Sequence, residues 1–106
     1  MMEYCKLEIY VPADYAESVK QAAFEAGAGK LGNYECCCWQ TTGTGQFRPL
    51  PGSAPYIGSH DKLEQVEEIK LEMICPGELL NIVIDAVRHA HPYETPAFQY
   101  WPVKLD

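Results

Sequence analysis

The sequence predicts an α+β fold: four strands and two helices in the order βαββαβ, with both helices on one face of an antiparallel sheet. Three observations carry this. Two segments, one at the start and one over residues 68–75, alternate apolar and polar residues with period two. Each is followed by a stretch whose apolar residues recur at helical spacing. The length, 106 residues, supplies one hydrophobic core and not two.

In the first strand Cys5, Leu7, Ile9 and Val11 alternate with Tyr4, Lys6, Glu8 and Tyr10, and Pro12 stops it. Asp14 with Glu17 makes a capping-box-like helix start. Tyr15, Val19, Ala22, Ala23 and Ala26 follow at helical spacing, and Gly27 and Gly29 end the helix. Residues 34–41 are rich in aromatics and cysteine, without Gly or Pro, and predict the second strand. A long loop is expected over residues 42–62. Its Gly43, Gly45, Pro49, Pro51, Gly52, Pro55 and Gly58 bar both helix and ladder strand.

The third strand alternates Ile69, Leu71, Met73 and Cys75 with Glu68, Lys70 and Glu72. Pro76 is expected in the first turn of a second helix. Leu79, Ile82, Val83, Ala86, Val87 and Ala90 trace its apolar face, and Arg88 and His89 in the last turn complement the helix dipole. Residues 91–96 read as a rigid turn and 97–103 as the last strand. This order is that of a ferredoxin-like split β-α-β sandwich.

The net charge of −7 and only eight Lys and Arg leave no basic face for nucleic acid or for anionic membranes. The start lacks a signal-peptide pattern, and no apolar run approaches the ~20 residues of a membrane span. The five cysteines are odd in number and three are consecutive, which predicts free thiols in a reducing, cytoplasmic compartment.

Two helices cover one sheet face. The other would carry Tyr4, Lys6, Glu8, Tyr10, Glu68, Lys70, Glu72 and Ile74, mixing aromatics with opposite charges. Such a face suits packing between subunits better than solvation, so a homo-oligomer, dimer or trimer, is expected.

Cys36, Cys37 and Cys38 lack the spacing of a zinc site, and on a strand would serve as small buried hydrophobes. His89, His91 and Glu94 are the metal candidates, of a type that suits divalent zinc or copper. The competing reading is a helix end with a structural turn. Amide groups around Gly43 and Gly45 are candidates for cradling an anion beside Arg48, against a plain flexible loop. No nucleophile motif and no acid/base pair stands out, so no catalytic residue is assigned. Glu64, Glu67, Glu68 and Glu72 read as surface charge.

Three segments carry a resemblance. They are Gly27 to Tyr34; Gly43, Gly45, Phe47, Arg48 and Pro49 with Pro55 to Gly58; and His91, Pro92, Tyr93, Glu94, Thr95 and Pro96. Together they resemble the PII-like domain of bacterial NIF3-family (YqfO-type) proteins, here read as one stand-alone domain over residues 1–106. The last segment also resembles the end of CutA1, the divalent-cation-tolerance protein. The resemblance implies a non-catalytic regulatory module that oligomerises and senses a small molecule or metal through the loop between strands two and three. It implies ligand-binding residues among Gly43, Gly45, Phe47, Arg48, Gly58 and Tyr93, and it places the NIF3 metal centre in a flanking domain. The alternatives are a metal-dependent hydrolase of the NIF3 type and a structural domain that docks a protein partner. Phe47 is expected to pack against its own or a neighbouring subunit.

Overall fold

The computed structural model describes residues 3–105. Met1, Met2 and Asp106 lie outside the described residues, and with the first two lies part of the start on which the signal-peptide reading rests. Strand β1 (Tyr4–Pro12) is central. It pairs antiparallel with β3 (Glu64–Pro76) on one side and β4 (Phe98–Val103) on the other. Strand β2 (Trp39–Phe47) pairs antiparallel with the outer side of β3, giving the order β2-β3-β1-β4. Helices α1 (Ala16–Ala26) and α2 (Leu80–Ala90) pack on each other over one sheet face. Among the described residues no helix is long and apolar enough to cross a membrane.

Period-two alternation fixes which face the helices cover. Cys5, Leu7, Ile9 and Val11 of β1 and Leu71, Met73 and Cys75 of β3 are buried, while their neighbours Lys6, Glu8, Lys70 and Glu72 are only half-buried. Val19 and Ala23 of α1 and Val83 and Val87 of α2 close the core from above. Each fully buried Val, Leu or Ile stabilises the fold by about 1.5–3 kcal/mol. Gly29, at φ 79°, turns the chain out of α1 where an added Cβ would strike the Phe24 ring. Its amide then bonds to the carbonyl of Ile74 at 2.8 Å, clamping the α1–β2 connection to β3.

Several sequence expectations are corrected. Strand β2 does not span 34–41; it begins at Trp39 and runs on through Gly43 and Gly45 to Phe47. The loop is accordingly shorter, residues 48–63 instead of 42–62. Two glycines are tolerated because β2 is an edge strand with largely exposed side chains. Cys36 to Cys38 precede the strand. Cys36 is exposed at φ 59° and Cys37 is partly exposed, while Cys38, partly buried, packs against the edge of the core. No Asp14–Glu17 capping box forms; a 3-10 turn over Ala13–Tyr15 leads into α1. Pro76 ends β3 and precedes a second 3-10 turn, Gly77–Leu79, instead of opening α2. Ile82 is 58% exposed, so the apolar face of α2 is narrower than its sequence suggests.

Candidate functional site

The loop over residues 48–63 is held by its own polar groups. The Ser53 amide and hydroxyl both donate to the Leu50 carbonyl, at 3.1 and 2.7 Å, and the Asp61 amide donates to Pro49 O at 2.6 Å. His60 Nε2 donates to Ser53 O at 2.8 Å. Pro49 is buried. Two contacts then tie the loop down across the molecule. The Ala54 amide donates to the Glu94 carboxylate at 3.0 Å, and the Tyr56 ring meets Tyr15 edge-on with the two hydroxyls 3.1 Å apart.

The segment after α2 supplies the opposite wall, and His91 sets its course. Nε2 of His91 lies 2.7 Å from Tyr10 O, and a carbonyl only accepts, so this nitrogen carries the proton. Nδ1 accepts from the Tyr93 amide at 3.1 Å. Both nitrogens are thus engaged in a neutral ring, and burial pushes the pKa of His91 down. The Tyr93 side chain is thereby aimed over the sheet. Its hydroxyl donates to Glu68 at 2.9 Å, and its ring meets Phe47 at 5.9 Å between centroids. Burial, reinforced by the Glu68 carboxylate, raises the pKa of the Tyr93 hydroxyl.

Between these walls lies a cleft of about 440 Å³, lined among others by Phe47, Arg48, Tyr56, Glu68, Tyr93 and Glu94. Of the residues singled out from sequence, Phe47, Arg48, Tyr93 and Glu94 meet here. Phe47 packs against Tyr93 of its own chain. Gly43 and Gly45 form no anion-cradling turn, because their amides belong to a strand; they line an adjoining cleft of about 480 Å³ on the open sheet face. Glu68 borders both clefts. Gly45 has a steric reason, since a Cβ there would collide with the Glu68 carboxylate. Gly58 stays in the loop, off the cleft wall. Sequence reasoning missed Tyr56 and Glu68. Glu68 looked like one more acidic residue in a charged strand, and its place opposite the Gly43 gap in β2 is set by sheet register alone.

The metal candidates His89, His91 and Glu94 are not gathered into one ligand group. Among the described residues no group of three or more His, Cys, Asp or Glu is arranged to hold one. A metal on His91 would have to displace the Tyr93 amide or the proton bonded to Tyr10 O. Nδ1 of His89 is engaged by Asp85 O at 2.7 Å on the exposed end of α2. On the open face, Lys6 bonds Glu72 at 2.7 Å, which raises the Lys6 pKa and lowers that of Glu72, and Lys70 reaches Glu8 at 3.5 Å.

No family model matches the chain. Proteins named GTP cyclohydrolase 1 type 2 homolog do match it. The one from Mycobacterium leprae is 46% identical over 93 residues, 88% of this chain and 24% of its own length. The one from Bacillus subtilis is 42% identical over 99 residues, 93% of this chain and 26% of its own. The chain therefore spans about a quarter of these relatives. Among solved structures, a Bacillus cereus protein related to NIF3 superposes with a TM-score of 0.84 at 39% identity, covering 98% of this chain and 26% of that one. CutA1 from Shewanella sp. SIB1 superposes at 0.71 with 19% identity over 99% of this chain and 85% of its own, a likeness of fold alone. The chain is a homologue of one quarter-length segment of the GTP cyclohydrolase 1 type 2 homologs, the NIF3 family, and it has the CutA1-type ferredoxin-like fold.

Proposed function

We propose that this chain is a non-catalytic regulatory module that binds a small molecule in the cleft between the 48–63 loop and the segment after α2. The observation that carries the reading is the convergence of three aromatic rings and three charged side chains on one concave surface of about 440 Å³. The loop that builds one wall is fastened by hydrogen bonds to distant parts of its own chain, so the cleft is largely formed before any ligand arrives. The relatives' name mentions a cyclohydrolase. Turnover would need a nucleophile beside a base, and the cleft's two carboxylates instead accept from the Tyr93 hydroxyl and the Ala54 amide. The open face, with its cross-strand ion pairs, supports assembly into a homo-oligomer.

Thermal denaturation against a panel of nucleotides, amino acids, amines and divalent zinc and copper tests this. At least one organic compound is expected to raise the melting temperature of the wild type. The rise should vanish in Phe47→Ala and Arg48→Ala variants that still melt cooperatively. A ligand at a hundred times its Kd stabilises by about 2.7 kcal/mol, well above detection. No shift with any organic compound, or a shift the two variants leave intact, contradicts the proposal.

A further inference from the structure

The balance of groups in the cleft selects a class of ligand, granted the reading that a small molecule binds there. Phe47, Tyr56 and Tyr93 form an aromatic wall, with Tyr93 at 5.9 Å from Phe47 and 6.5 Å from Tyr56 between ring centroids. The ring planes are inclined at 62° and 48°, so Tyr93 packs between the other two rings in a tilted cluster that presents edges and faces to the cleft and no single flat stacking surface. Aromatic faces carry partial negative charge and attract cations. Glu68 and Glu94 line the same cleft. Both accept hydrogen bonds from neutral donors, the Tyr93 hydroxyl and the Ala54 amide. Among the described residues, every ion pair lies elsewhere, so neither carboxylate is paired with a cation. Arg48 is the lone cation of the lining.

The geometry points to a small organic cation, an ammonium group on a compact apolar body, as the ligand of this cleft. The exposed ring faces on the cleft wall would receive the charged head while Glu68 and Glu94 balance it. An anion would meet two carboxylates against one guanidinium. A bare metal ion would meet only two carboxylates, short of a three-ligand group among the described residues.

The test is a titration of the full chain, labelled with nitrogen-15, followed at the amides of Phe47, Arg48, Tyr93 and Glu94. Three probes of one shape are used: choline, the neutral 3,3-dimethylbutan-1-ol and the anionic 3,3-dimethylbutanoate. Choline is expected to bind at least about fivefold more tightly than the neutral alcohol, the size of a modest cation–π contribution. Glu68→Gln should remove most of that preference. Tyr56→Leu should weaken choline about threefold or more, whereas Tyr56→Phe, which keeps the ring and loses only the hydroxyl contact to Tyr15, should leave choline binding near that of the wild type. Equal or tighter binding of the alcohol or the carboxylate overturns the cation assignment while leaving the cleft a ligand site. No cleft shift with any of the three overturns this inference, and the panel of the preceding section then decides separately whether the cleft binds anything.

Discussion

The two faces of the sheet are made by the same strands and do opposite work. On β3, Ile69, Leu71, Met73 and Cys75 point under the helices and are buried, whereas Glu68, Lys70, Glu72 and Ile74 point the other way and are half-buried. The covered face is completed by folding. The open face carries ion pairs, and at its edge Glu68 reaches the cleft. The difference teaches that stability and binding reside in alternate residues of one strand. Substitutions one position apart should therefore separate them.

The largest effect is expected on the covered face. Leu7→Ala should lower stability by about 3 kcal/mol in urea denaturation, the usual cost of emptying a fully buried leucine site. A loss under 1 kcal/mol would mean that the face is not the core. Next comes the cleft wall. Tyr93→Phe removes the bond to Glu68 but keeps the ring, and should cost about 1 kcal/mol with cooperative unfolding preserved.

Smaller again is a pH dependence from His91. Burial favours its neutral form, so its folded pKa lies below the ordinary 6.5. Below 6.5 the unfolded chain takes up a proton that the folded chain resists. Stability from this group is thus full above pH 6.5 and is lost as pH falls through the folded value. A His91→Gln variant should show a flatter stability profile over that window, and an unchanged profile would contradict the neutral assignment. The smallest effect is expected from Lys6→Gln, because the half-buried Lys6–Glu72 pair lies on the open sheet face, where solvent screens it. Its denaturation curve should overlay the wild type, while sedimentation at micromolar concentration should show weakened self-association if the open face is an interface.

The elements that bury one face were legible in the sequence. Alternation in β1 and β3 and the i, i+4 spacing of Val83 and Val87 leave few other ways to hide apolar area. The bounds of strand β2 were not legible, because an edge strand buries little and leaves no apolar signature. Its Gly45 makes sense only once Glu68 is seen lying across it. The cysteines misled for a related reason: Cys36, at φ 59°, follows no strand period, and the segment before β2 is held by backbone bonds such as Cys37 N to Gly29 O at 2.8 Å. Of the site, the chemistry-bearing residues Phe47, Arg48, Tyr93 and Glu94 could be picked out from motifs. Their meeting with Glu68 and Tyr56 depends on tertiary contacts across 25 and 41 positions of sequence. His91 looked like a ligand and is a strut, a role visible only in the partners of its two nitrogens.

The central claim is that the cleft under the 48–63 loop is the working part of the molecule. A fragment screen read by amide chemical shifts over the whole chain tests it most directly. The account predicts that hits cluster on residues 46–57, 68 and 93–97. Hits concentrated instead around residues 21–36, or on the helical face, would contradict it.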